Sequence, residues 1–210
     1  MRLKHVKGAE NIVENSNYVI KDYIDYKGKY NKLFNNNNPI YIEIGMGKGN
    51  FIIENAIKYP NINFIGIEKY DSVMVKAIKR LDILDLPNLK LIRMDANKID
   101  EVFDKEIDKI YLNFSDPWPK DRHAKRRLMS PNFLEKYNSI FKDKKIIEFK
   151  TDNRKLFEYA IKTFNEEQYK IEEISLNLYE DDTPDNIPTE YETKFNSLGF
   201  PIYKIKVYKD

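Results

Sequence analysis

Two hydrophobic periods alternate along this chain. From residue 40 onward, short apolar runs are each followed by a stretch with apolar residues every three or four positions. The first period marks buried strands and the second marks amphipathic helices. Ile40–Ile44, Phe64–Ile67, Leu89–Ile92, Ile110–Phe114 and Lys145–Phe149 are predicted as strands. The intervening helical stripes are Phe51, Ile52, Ala56 and Ile57; then Val73, Met74, Ala77, Ile78 and Leu81; then Phe133, Leu134, Tyr137 and Phe141; then Leu156, Phe157, Ala160, Ile161 and Phe164. Tyr59-Pro60 ends the first helix, because proline excludes its predecessor from the helical region. Ser130-Pro131 starts the third, with serine at the N-cap and proline at the first helical position. Asp152 is predicted to cap the fourth. Ile171–Leu178 and Ile202–Val207 are two more strands, joined by a long acidic loop and paired antiparallel.

Strand-helix alternation predicts a mostly parallel sheet covered on both faces. The fold class is α/β: a Rossmann-like, doubly wound, seven-stranded sheet with a C-terminal antiparallel hairpin. Residues 1–39 are polar, carry scattered cations (Arg2, Lys4, Lys7, Lys21, Lys27, Lys29, Lys32) and end in Asn35–Asn38 before Pro39. They read as a partly flexible N-terminal extension ahead of one domain, 40–210. There is no cysteine, which excludes disulfides, thiolate metal sites and cysteine nucleophiles. With two histidines a metal site is not expected. No run approaches a membrane span and no apolar leader opens the chain, so a cytoplasmic protein is expected.

Net charge is only +2, from 36 basic and 34 acidic side chains, so any affinity for a polyanion must be local. The charge is segregated. Residues 113–127 read NFSDPWPKDRHAKRR, and 120–127 hold five cations and one acid; 179–192, YEDDTPDNIPTEYE, hold six carboxylates and no cation. Asp116, locked between Ser115 and Pro117 at a strand end, is followed at once by Lys120, Arg122, Lys125, Arg126 and Arg127. Cations of this kind position phosphates, while a separate group reads or activates a base.

Between the first strand and helix stands Glu43-Ile-Gly45-Met-Gly47-Lys-Gly49. Glycines here allow a tight turn and close approach of a ligand at the carboxyl ends of the strands. The third glycine falls one residue short of the dinucleotide spacing, its required place being Asn50, and no P-loop pattern occurs. Glu68 ends the second strand, where a carboxylate accepts from ribose hydroxyls. Asp95 follows the third strand and Asp116 the fourth.

These residues resemble the class I S-adenosylmethionine-dependent methyltransferases. NFSDPWPK at 113–120, RHAKRR at 122–127, FKTDN at 149–153 and TEYE at 189–192 are together similar to the bacterial tRNA (guanine-N7-)-methyltransferase family, TrmB, over about residues 40–203. The resemblance implies methyl transfer from S-adenosyl-L-methionine to N7 of guanine 46 in the tRNA variable loop. It implies Glu43, Gly45, Gly47, Gly49, Glu68, Asp95 and Asp116 as cofactor-binding residues, with Asp116 also the catalytic aspartate. It implies Lys120, Asp152, Thr189, Glu190, Tyr191 and Glu192 as substrate-binding residues. Arg122, His123, Lys125, Arg126 and Arg127 would contact RNA. The N-terminal RLKHVKG departs from the family's early Arg-His-Lys-Pro-like segment. A monomer or a homodimer is expected.

The chemistry bears on roles. Guanine N7 has a free lone pair and the donor a good leaving group, so alignment and charge stabilisation matter more than base catalysis. Asp116 is therefore expected to orient the base and stabilise developing positive charge, with proton acceptance as the lesser role. Asp152, Glu190 and Glu192 are further acceptors for guanine's N–H donors. Trp118 fits either stacking on a base or packing as a lid aromatic. Three other readings fit less well: an exocyclic-amine methyltransferase, which the single proline and Pro119-Lys120 disfavour; a non-catalytic RNA-binding module, which the apparent cofactor site disfavours; and an NAD-dependent oxidoreductase, which the glycine spacing disfavours.

Overall fold

The computed structural model describes residues 6–181, 183 and 185–210. Arg2, Lys4 and most of the RLKHVKG segment lie outside the described residues, as does Asp182 of the acidic stretch. The chain runs through α1 (Ala9–Asn15), a 3-10 turn at Tyr23–Tyr26, α2 (Tyr30–Phe34), β1 (Ile40–Ile44), α3 (Asn50–Lys58), β2 (Asn63–Glu68), α4 (Asp71–Leu81), β3 (Leu89–Arg93) and α5 (Ile99–Val102). It continues through β4 (Lys109–Asn113), a 3-10 segment at Asp121–Arg126, α6 (Pro131–Ile140), β5 (Lys145–Thr151), α7 (Arg154–Glu166), β6 (Lys170–Ser175), α8 (Glu190–Ser197) and β7 (Tyr203–Lys209).

The strands form one sheet in the order β3-β2-β1-β4-β5-β7-β6, with β7 antiparallel to both neighbours and the rest parallel. The order reverses between β1 and β4. At such a switch point the connections leave on opposite faces and open a crevice beyond the strand tips. Period-two alternation divides the core. Ile42, Ile44, Ile65, Ile67, Ile110, Leu112, Ile147 and Phe149 pack with α5, α6 and α7. Phe64, Leu89, Leu91 and Tyr111 pack with α3 and α4 on the other face. Beyond β4 that second face carries the ion pairs Lys109–Glu148 (2.8 Å), Lys204–Glu173 (2.7 Å) and Lys206–Glu172 (3.1 Å), with α8 covering only the tip of β5. Among the described residues no helix is long and apolar enough to cross a membrane.

Residues before β1 join both cores. Tyr30 is fully buried against Phe103 (4.8 Å between rings), Val13 is buried on the α4 side, and Val19 bridges Leu91.

Four local expectations are corrected. Asn153, not Asp152, caps α7, its Oδ1 accepting from the Leu156 amide (2.9 Å). Ser130 occupies the N-cap position of α6, but its hydroxyl donates to the Lys125 carbonyl (3.2 Å) and caps nothing. β4 stops at Asn113, because Phe114 turns to a positive φ of 50° that cannot continue a strand. The acidic connection between the last two strands holds α8. A capping box starts it: Thr189 Oγ1 accepts from the Glu192 amide (2.9 Å) and Glu192 Oε2 from the Thr189 amide (3.2 Å).

Candidate active site

The glycine turn closes the tip of β1 by local bonds. The Gly45 and Met46 amides both donate to the Ile67 carbonyl (2.9 and 3.0 Å), fastening the turn to β2. Gly49 has a φ of 78°, and a Cβ there would stand 2.7 Å from that of Ala77, so α3 and α4 approach through it. Above Gly45 and Gly47 the space is open, with no atom within 4 Å of where a Cβ would point.

Glu68 faces this turn. Its Oε2 accepts from the Gly47 amide (3.1 Å), and Oε1 from the Lys69 and Tyr70 amides (2.8 and 3.0 Å). Burial raises its pKa against these three bonds, and the negative charge of Asp116 also pushes it up. Asp95 sits at the tip of β3, with Oδ1 accepting from the Asn97 amide (3.0 Å) and Oδ2 paired with Lys69 (2.6 Å). Burial raises its pKa, but the Lys69 and Asn97 bonds outweigh that and leave it lowered.

Glu43 is 2 % exposed, one residue before the end of β1. Its Oε1 accepts from Asn113 Nδ2 (2.9 Å), while its Oε2, Asn113 Oδ1 and Ser115 Oγ have no partner among the described residues. Burial pushes its pKa up to about 8, against the opposing pull of Asn113 and Lys150.

Asp116 is exposed on the loop after β4, between two bulky residues in the left-handed region, Phe114 (φ 50°) and Trp118 (φ 40°). Such strain persists only where surroundings enforce it, and it gathers at functional sites. Here Arg127 enforces it. Its guanidinium donates to the Pro117 and Trp118 carbonyls (3.2 and 3.1 Å) and stacks 4.3 Å from the Tyr159 ring. Arg127 thus turns inward, 9 % exposed, away from the phosphate contact expected of it. Arg126 lies 4.8 Å over Trp118, which also meets His123 edge-on (5.9 Å). Lys120, Arg122 and Lys125 are exposed.

α8 brings the TEYE residues to the same end of the sheet. Glu190 pairs with Lys48 of the glycine turn, and Tyr191 stacks on Phe114 (6.3 Å between rings, 20°). Glu192 is fully buried against Lys150 (3.1 Å), so its carboxylate is spent inside the protein and not on a base. Asp152 is half-buried just past β5. Sequence reasoning missed Lys150, Asn186 and Asn113. The burial of Glu192 follows only from which loop lands on β5, although the T-x-x-E spacing did signal the helix start.

Residues 37–205 match a family model described as "Putative methyltransferase". A tRNA (guanine-N(7)-)-methyltransferase of Bacillus licheniformis is 47 % identical, over 98 % of this chain and 98 % of its own. One of Bacillus subtilis is 46 % identical, over 99 % and 98 %. The chain belongs to the tRNA (guanine-N(7)-)-methyltransferase family. Among solved structures, the 16S rRNA methyltransferase KamB superimposes with a TM-score of 0.64 at 12 % identity, covering 86 % of this chain and 92 % of that one, a likeness of fold. The family assignment agrees with the motifs that suggested it, and the mostly parallel seven-stranded sheet with its antiparallel end is the one expected.

Proposed function

We propose that this protein transfers the methyl group of S-adenosyl-L-methionine to N7 of guanine 46 in the tRNA variable loop. The observation that carries the reading is the position of Asp116. It stands on a strained loop whose one side feels Glu68 and whose other side leads into the basic 3-10 segment. One carboxylate therefore lies between the open space over the glycine turn and a patch suited to phosphates.

The residues fit the donor. The open space over Gly45 and Gly47 admits a ligand to the main chain. Glu68, oriented by three amides, keeps acceptor capacity for a ribose diol. The unpartnered Glu43 Oε2 and Asn113 Oδ1 are buried polar atoms left for a ligand's hydrogen-bonding groups. When bound, S-adenosyl-L-methionine supplies an activated methyl on a sulfonium.

The chain's own part is alignment and electrostatics. Guanine N7 needs no proton removed before it attacks, so the Asp116 carboxylate holds the purine edge and balances the positive charge the ring acquires. Holding reactants in line is worth roughly 7–11 kcal/mol in favourable cases. Asp152, Glu190 and Tyr191 border the purine, and Lys120, Arg122 and Lys125 take phosphates. The test is one incubation of purified protein with labelled S-adenosyl-L-methionine and bulk tRNA, followed by digestion. Label in 7-methylguanosine, lost when guanine 46 is replaced by adenine in a transcript, is the expected result; label in another nucleoside rejects the reading.

A further inference from the structure

At the tips of β4 and β5 one buried cation holds a whole segment of chain. Lys150, in β5, is 1 % exposed. Its ammonium donates to Asn186 Oδ1 (2.5 Å), Glu192 Oε2 (3.1 Å) and the Ile187 carbonyl (3.2 Å), and lies 5.3 Å from the centre of the Phe51 ring. Three bonds use all its donors. All three acceptors belong to residues 186–192. Glu192 Oε1 in turn accepts from Asn186 Nδ2 (2.6 Å). Glu192 is 0 % exposed, and separating the pair would leave two uncompensated charges in the interior.

The same segment presents Glu190 and Tyr191 outward. They touch Lys48 of the glycine turn and Phe114 of the Asp116 loop. The buried pair therefore sets where two purine-side residues stand relative to both the donor turn and Asp116. Surface ion pairs such as Lys48–Glu190 are weak alone, so the depth of the Lys150 pair is what holds the segment.

We propose that Lys150 is a positioning residue for the acceptor purine, touching no substrate and acting by docking residues 186–192 onto the tip of β5. The inference rests on the proposed function, in which Glu190 and Tyr191 border guanine.

Two variants test it. Lys150→Met leaves Glu192 without its cation. Lys150→Met with Glu192→Gln removes both charges, and glutamine still completes the capping box, so this variant keeps the test open if the first fails to fold. The readouts are amide hydrogen exchange, calorimetric affinity for S-adenosyl-L-methionine, and steady-state methylation of tRNA. Exchange over residues 186–193 should quicken several-fold while β5 stays protected. Methylation kcat/KM should fall by about 100-fold, the loss a small misplacement causes. Affinity for the donor should change far less than methylation does, by no more than the loss of the Lys150 charge near Glu43 accounts for, which general loosening of the fold would not allow.

Parent-like exchange over residues 186–193 in the double variant overturns the proposal and leaves the proposed function standing. So does a matching loss of donor affinity. Fast exchange with undiminished methylation also overturns it, and places the fault in the reading that this segment borders the purine.

Discussion

On the donor side of the crevice, Glu68 is held by three backbone amides within or near its own turn; on the acceptor side, Glu190 and Glu192 are held by lysine side chains 142 and 42 residues away. Asp95 mixes the two patterns, taking the amide of Asn97 two residues on and the Lys69 ammonium 26 residues back. The Asp116 loop follows the acceptor pattern, pinned by Arg127 and, through Phe114, by Tyr191. Backbone donors have no rotamers to freeze, so Glu68 is preorganised by the turns around it. Side-chain ties must order long, flexible groups, and they hold only where burial makes separation costly. The half proposed to meet RNA is thus assembled from distant pieces, and it is the half whose geometry can be disturbed by changes far from the proposed reacting atoms.

The sharpest way to break this comparison is Asp116→Ala. Asp116 is exposed and carries no core contact, so the fold should survive. Turnover should fall by about 100- to 1,000-fold, the scale for losing one preorganised electrostatic group. Methyl incorporation checks the loss and a thermal melt checks the fold; near-parent turnover removes Asp116 from the centre of the mechanism. Next in size is Glu68→Ala, which should weaken S-adenosyl-L-methionine by about 10- to 100-fold, the equivalent of about 1.4–2.8 kcal/mol, and leave tRNA affinity in filter binding unchanged. A parallel loss of tRNA affinity would mean the halves are not separable as described.

On the acceptor side, neutralising Lys120, Arg122 and Lys125 together should lower the slope of log affinity against log salt by about 0.7–0.9 for each phosphate contact removed. Arg127→Ala should leave that slope in place and depress turnover instead, since its guanidinium serves the loop carbonyls. Titrating tRNA at several salt concentrations distinguishes the two.

The last prediction concerns stability rather than activity, at Glu43. Its native pKa is pushed up to about 8 from an ordinary 4.5. Between those values the folded protein binds a proton that the unfolded chain does not. Stability contributed by this group is therefore lost as pH rises from about 4.5, and the loss is complete above about 8. Glu43→Gln carries no such penalty. Its stability relative to the parent should grow across that window by several kcal/mol, up to about 5 for the full shift. Denaturant midpoints at pH 5, 7 and 9 measure it, and a constant difference would show that Glu43 is ionised throughout.

Periodicity alone located all seven strands and the helices that follow β1, β2, β4 and β5, because one buried face imposes its period on the sequence. The glycine turn and Glu68 were legible for the same reason: their partners lie within a strand, a turn and a neighbouring strand. α8 was not, since only Tyr191 and Phe195 interrupt its polar run and its start is a capping box inside what reads as an acidic loop. The partly flexible extension expected at 1–39 includes Tyr30, which is fully buried against Phe103, a partner far along the chain.

The sequence by itself determined the sheet, the order of acids along the strand tips and the chemistry they suit. Tertiary structure alone decided which charges face solvent. Arg127 turns inward because two carbonyls and Tyr159 wait for it, and Glu192 is buried because Lys150 lies beneath its helix. A run of charged letters does not say which members will find a buried partner, since that depends on segments meeting across a fold; a hydrophobic period does say which face is buried, since it is written in consecutive residues.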